Sequence, residues 1–222
     1  MSDYPILLQL QGRLCVVIGG GPVAIRKACG LQEAGARVRL IASELAVSVE
    51  ALEAVEVIIR PYQTGDLEGA FVAFAATDDR LVNAAVVQEA RQRRVLVGVV
   101  DAPDTGDFTL PALLRRGNLT VAVATGGGSP ALAALLRDQL AVRLGPEWAT
   151  VLEIAAALRQ KRLTLQGNTE YNQPILRRLI EGGLPELIAS GDAPAVDQLL
   201  RTLFGEGCSL AQLEIRLAKG MT

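Results

Sequence analysis

Three groups of residues in this sequence have types and spacings that could do chemistry. The first is Gly19-Gly20-Gly21-Pro22-Val23-Ala24, which fits the pattern G-x-G-x-x-[GA]. Gly19 would make a tight turn, Gly21 would let a ligand come close to the backbone, and Ala24 would be the small residue where a helix meets a sheet. A helix starting there aims free N–H groups and the positive end of its dipole outward, and a pyrophosphate is the usual occupant. The second group is Thr125-Gly126-Gly127-Gly128-Ser129-Pro130. Ser129 can serve as an N-cap with Pro130 in the first helical position, so this run reads either as a second anion site or as an ordinary helix start. The third is scattered: Ser43-Glu44, Asp101, and the basic turn Arg115-Arg116-Gly117-Asn118.

What is missing narrows the chemistry. The chain has no histidine, so the commonest general base and metal ligand are both absent. Proton transfer falls to Asp, Glu, Lys, Tyr or water. Three widely spaced cysteines, Cys15, Cys29 and Cys208, form neither a disulfide framework nor a zinc pattern. Cys15 and Cys29 lie in apolar stretches and read as core packing. A net charge of -2 over 222 residues offers no basic field for nucleic acid or an anionic lipid surface. No apolar run reaches the roughly 18 residues of a membrane span, and the N-terminus lacks a basic segment followed by a hydrophobic one, which places the protein in the cytoplasm.

Each of these groups needs an element to hold it. Cys15 to Ile18 is an apolar run, three of its four residues β-branched, that suits a strand covered on both faces, and Pro22 to about Ala34 carries Ala24, Ala28, Leu31 and Ala34 on one helical face. Arg37 to Ala42 completes a βαβ unit and ends in Ser43-Glu44, where a dinucleotide fold meets the adenosine ribose. A carboxylate there favours NAD over NADP, although Ser43-Glu44 also reads as a helix cap. Further strands follow at Val55 to Ile59, Ala70 to Ala76 and Val95 to Val100. Pro61 to Leu67 reads as a loop, and Thr77-Asp78-Asp79 caps a helix from about Arg80 to Arg93. The small residues before Thr77 would let a cofactor lie against that strand end. Asp101, at the carboxyl end of its strand, points at the cleft of an open parallel sheet or serves as a turn residue before Ala102-Pro103, and the absence of histidine favours the first.

Leu119 to Ala124 is a strand feeding the second glycine run. The helix from Pro130 to about Leu144 has a stripe of Leu132, Leu135, Leu136, Leu140 and Leu144 that must be covered by its own domain or by a second copy. Beyond Gly145-Pro146, helices are expected at Trp148 to Leu165, Tyr171 to Glu181, Pro185 to Ser190, Ala193 to Phe204 and Ser209 to Lys219. Residues 1 to 11 are apolar enough to pack on the first domain. The fold class expected is α/β, a Rossmann-type parallel sheet over 1–112, then a dimerisation and substrate-binding element over 113–146 and an all-helical domain over 147–222.

Five segments in register, GGGPVAIRK from Gly19, AATDDRLVN at 75–83, VGVVDAP at 97–103, DFTLPALLRRG at 107–117 and TGGGSPALA at 125–133, resemble the siroheme synthase amino-terminal family. The likeness runs in order from residue 4 to about 140 and more loosely beyond. It implies an NAD-dependent precorrin-2 dehydrogenase, in some members also a sirohydrochlorin ferrochelatase, assembled as a homodimer. It places cofactor contacts on Gly21, Pro22, Val23, Ser43 and Glu44, and the family's catalytic aspartate on Asp101. Thr125 stands where members carry a phosphorylated or hydrogen-bonding serine. Gly98 stands where many carry asparagine, which removes one amide from the cleft. For an acidic tetrapyrrole, Arg115, Arg116, Asn118 and the turn of Thr125, Gly126, Gly127, Gly128 and Ser129 would supply donors. A different class of reading is a nucleotide sensor that binds NAD and moves its helical module without chemistry, which leaves the basic turn and the second glycine run unexplained.

Overall fold

The computed structural model describes residues 3–46, 54–166 and 173–217. The chain divides after Leu110 into two units. In the first, strands β1 (Leu14–Ile18), β2 (Arg37–Ala42), β3 (Val55–Ile59), β4 (Val72–Ala75) and β5 (Leu96–Val99) are all parallel, in the order β3-β2-β1-β4-β5. The chain therefore builds outward from β1 in one direction and then returns to build in the other. Between β1 and β4 the direction reverses, which is where open sheets of this kind collect ligands.

Alternation across these strands explains their composition. Cys15 and Val17 face α1 (Pro22–Glu33) and pack on Ala24, Ala28 and Leu31, while Val16 and Ile18 face the side of α2 (Arg80–Arg93) and pack with Val86, Val87 and Ala90. With both faces covered, a near-continuous apolar run is what each strand requires. Burial pushes the Cys15 thiol up to about 11, against a small opposing pull from the backbone at Val72, so it is an unreactive core residue.

No helix links β3 to β4; residues 60–70 form a looped connection. Arg60 grips Asp66 through two hydrogen bonds of 2.8 and 2.6 Å. Glu89 of α2, only 3% exposed, accepts from the Tyr62 hydroxyl, from Gly65 N–H at 3.0 Å, from Leu67 N–H at 3.4 Å and from Arg93 Nε at 2.6 Å. Burial would raise the Glu89 carboxyl, but the donors of Tyr62, Gly65, Arg93 and Leu67 together hold it below its ordinary value. A depressed carboxylate stabilises the fold above the unfolded value of about 4, and that contribution is lost as pH falls through the folded value. Glu89→Gln is expected to cost about 3 kcal/mol at pH 7. In urea titrations the gap from wild type should narrow in acid below about pH 4.

One sequence expectation fails in this unit. Residues 3–9 do not pack on the sheet: Tyr4 is 88% and Leu7 82% exposed, and only Leu10 is buried. The reason is local, since the segment joins no strand and the turn at Gly12, whose N–H donates to the Gly35 carbonyl, carries Leu10 alone into the core. Ser43-Glu44 is a bend that continues to Ala46, and the residues that follow, 47–53, lie outside the described residues, so the helix-cap reading falls largely on them. Residues Met1 and Ser2 lie outside the described residues.

The second unit opens with an antiparallel hairpin of β6 (Ala112–Arg116) and β7 (Leu119–Val123). Arg115 and Arg116 are therefore strand residues, and the turn proper is Gly117-Asn118, with Gly117 at a φ of 54°. Helices α3 (Pro130–Arg143), α4 (Trp148–Gln166), α5 (Gln173–Glu181), α6 (Leu184–Ala189) and α7 (Ala193–Phe204) follow. Ile154, Leu158, Leu179, Leu184, Val196 and Leu200 form the core of the helical part. The helix expected over 209–219 is a single 3-10 turn at Ala211–Leu213, and 218–219 lie outside the described residues, as do 171–172 at the expected start of α5. Asp197 accepts from Leu210 N–H, and Glu214 adopts a left-handed φ of 59°, which stops the turn once Leu210 and Leu213 are buried.

Candidate functional site

Each of the three glycines at the end of β1 answers to a different constraint. Gly19 sits at a φ of +131°, and a Cβ there would lie 2.2 Å from the Ala76 carbonyl oxygen at the end of β4. Gly20 would place a Cβ 1.9 Å from the Glu44 carbonyl, because its own carbonyl accepts from Ala46 N–H at 3.0 Å and draws the loop after β2 close. Gly21 differs from both, since a Cβ built on it meets nothing within 4 Å. It is the N-cap of α1, no side chain caps the helix, and the first turn holds no acidic residue. Sequence reasoning singled out Gly19 and Gly21 but missed Gly20, whose only signal was an unexplained third glycine.

The same sheet edge gathers the ends of β2, β4 and β5. Ser43 and Glu44 are exposed beside the glycine turn, and Asp101 is exposed just beyond β5. Between Thr77 and Asp101 stands Asn83, on the second turn of α2 and 4% exposed. Its Oδ1 accepts from Thr77 N–H at 3.2 Å and lies 2.8 Å from the Thr77 hydroxyl, while its Nδ2 donates to the Thr77 carbonyl at 2.9 Å and to Asp101 Oδ1 at 3.2 Å. Asp79 caps α2 by accepting from Leu81 and Val82 N–H. Within the first unit, Gly19, Gly21, Pro22, Val23, Ser43, Glu44, Thr77 and Asp101 are thus brought to one edge.

Gly98 belongs to packing rather than to this edge. A Cβ there would meet both Phe108 and Phe74 at 3.0 Å, and those rings stack edge to face with centroids 5.4 Å apart. The amide expected to be missing from the cleft is replaced by an aromatic pair in the core. Asp107 holds Phe108 in place by accepting from Val97 N–H at 2.9 Å and donating its own N–H to Val97 O at 2.7 Å.

This arrangement suits a dinucleotide. A Cβ on Gly21 would point into open space, which leaves the backbone there accessible, and the uncapped start of α1 offers N–H donors with no carboxylate in its first turn to compete. Gly21, Pro22 and Val23 lie at the start of α1, and Glu44 lies just past the end of β2, in the positions where folds of this kind bind a dinucleotide.

In the second unit the glycine run closes on itself. The Thr125 hydroxyl donates to Ser129 O at 3.0 Å and accepts from Ser129 N–H at 3.1 Å, Gly128 N–H donates to Thr125 O, and Ser129 Oγ caps α3 through Leu132 N–H. Gly126 and Gly127 take positive φ values of 57° and 79°. Arg116 has a structural engagement: Nε donates to Leu144 O at 2.8 Å and Nη2 to Ala141 O at 3.4 Å, at the negative end of α3. Arg115 and Asn118 are exposed.

Residues 6–112 match an NAD(P)-binding family, and residues 116–143 match one described as the central part of a sirohaem biosynthesis protein. The siroheme synthase of Methylococcus capsulatus is 39% identical over 203 residues, covering 90% of this chain and 43% of that protein. Those of Thioalkalivibrio sulfidiphilus and Pseudomonas aeruginosa are 33% and 35% identical over 93% and 90% of this chain, and 43% and 44% of theirs. The chain therefore spans less than half the length of these relatives. A solved structure titled SirC, precorrin-2 dehydrogenase, superposes with a TM-score of 0.66 at 25% identity, covering 80% of this chain and 89% of that one.

Proposed function

We propose that the chain belongs to the siroheme synthase amino-terminal family and that it oxidises precorrin-2 to sirohydrochlorin with NAD. The observation that carries this reading is the sheet edge itself, where a backbone open to a ligand at Gly21 and an exposed carboxylate at Asp101 stand on either side of the switch point. The dehydrogenation releases a hydride and a proton from the macrocycle, and the bound nicotinamide supplies the acceptor for the hydride. Asp101 takes the proton, directly or through water, which is the task left to a carboxylate in a chain without histidine. Gly21 and the N–H groups of α1 hold the diphosphate, and Thr77 lines the strand end against which the cofactor rests. For the acidic macrocycle, the second unit offers the exposed Arg115 and Asn118 and the exposed backbone of Gly126 and Gly127, the rest of the Thr125 to Ser129 turn being bonded within itself. Arg116 supports that part of the unit through the end of α3.

Glu44 selects NAD by accepting a ribose hydroxyl and repelling the extra phosphate of NADP. Wild type is expected to prefer NAD in kcat/KM by more than about tenfold, with Glu44→Gln narrowing the ratio several-fold. The assay is NADH absorbance on mixing the protein with NAD and enzymatically made precorrin-2, and an absence of reduction refutes the reading.

The working form we infer is a homodimer. Leu132, Leu135 and Leu136 of α3 are 46%, 55% and 38% exposed, and the hairpin beneath them has two strands only, so both of its edges are open. Leu135→Glu is expected to convert the dimer to monomer in light scattering while leaving the melting of the first unit unchanged.

A further inference from the structure

A buried amide that the resemblance does not single out joins the cofactor edge to the proposed base. Asn83 is 4% exposed and has four polar contacts, and the chemistry of its partners fixes which way round the amide lies. Thr77 N–H can only donate, so the oxygen of Asn83 must face it, and the Thr77 carbonyl can only accept, so the nitrogen faces that. One Nδ2 hydrogen is used there, and the geometry leaves the second for Asp101 Oδ1 at 3.2 Å. Thr77 in turn follows Ala76, whose carbonyl closes over Gly19. The turn that holds the diphosphate, the end of β4 and the carboxylate after β5 are thus linked through a single side chain.

We propose that Asn83 is a positioning residue that anchors Asp101 to the cofactor-binding edge, so that the exposed carboxylate presents its free oxygen to the substrate in one orientation. This rests on the dehydrogenase reading and deepens it. An exposed aspartate without that donor samples several rotamers, and a base held within hydrogen-bond reach of one proton loses rate when it does. Glu or Asp at 83 would set a second carboxylate against Asp101, and leucine would remove both the donor and the acceptor.

The test is a double-mutant cycle on the full chain, reading NADH formation with precorrin-2 and NAD affinity separately. Asn83→Leu is expected to lower kcat between about 10-fold and 100-fold, with the Kd for NAD within about twofold of wild type. Added to Asp101→Asn, it should lower kcat no further, because Asn83 acts only through that carboxylate. A merely structural asparagine would give effects that multiply, or would weaken NAD binding as much as turnover, and either result overturns the proposal. If Asn83→Leu does not fold, Asn83→Asp keeps the oxygen that faces Thr77 N–H while removing the donor to Asp101; an unchanged kcat for that variant overturns it equally. Wild type that forms no NADH refutes the dehydrogenase reading and this proposal with it, whereas active wild type with multiplying effects refutes this proposal alone.

Discussion

Asp101→Asn is expected to lower kcat for precorrin-2 oxidation between about 100-fold and 10,000-fold while leaving NAD affinity and thermal stability as in wild type. The expectation follows from where the residue stands. Asp101 is exposed beyond the end of β5, contributes to neither core cluster of its unit, and touches the fold through the Asn83 amide, a contact that asparagine can still accept. Its loss should therefore show as chemistry and not as folding. Titration calorimetry for NAD, melting, and single-turnover absorbance on the same preparation separate the three quantities. Full turnover by the variant would remove Asp101 from the mechanism. Incubating both proteins with sirohydrochlorin and Fe²⁺ asks in the same experiment whether the chain also inserts metal.

The second large effect distinguishes neighbouring glycines that a motif treats alike. Gly21 has φ -78° and ψ 173°, a conformation open to any residue, and a Cβ there meets no protein atom. Gly21→Ala should leave the apo protein within about 0.5 kcal/mol of wild type and weaken NAD at least about tenfold, because the methyl group would stand where the proposed diphosphate binds. The methyl group of Gly20→Ala would meet the Glu44 backbone carbonyl at 1.9 Å, so the loop after β2 has to move. That variant should lose about 3 kcal/mol of stability or fail to accumulate, whether or not a nucleotide is present. Denaturant titration of the apo forms, followed by NAD binding to those that fold, reads both outcomes. Equal effects of the two substitutions on stability would mean that the space over Gly21 is needed by the protein and not by a ligand.

Much of the first unit could be read from the chain because local and long-range demands agree there. Cys15 to Ile18 is apolar without interruption since α1 and α2 cover opposite faces, and Ala24 is small since it is the residue of α1 fully buried where that helix meets the sheet. The same reasoning failed at the N-terminus, where hydrophobicity suggested packing but Tyr4 to Leu8 had no strand to join. It failed again at 209–219, where apolar spacing suited a helix and a left-handed Glu214 ended the turn. Gly98 looked like a lost cleft amide because its neighbour Phe108 lies ten positions away in the chain, and only the fold brings the ring over it.

By itself the sequence determined the α/β class, the glycine turn, the position of Asp101 at a strand end and the absence of any histidine to share its work, all of which follow from residue type and local period. Tertiary structure decided the rest: that Gly20 is required by the backbone of the loop after β2, that Arg116 serves the end of a helix, and that Asn83 reaches Asp101. Each of these joins residues distant in the chain through contacts of a few ångströms. Such contacts depend on strand order, and strand order leaves no mark on local pattern.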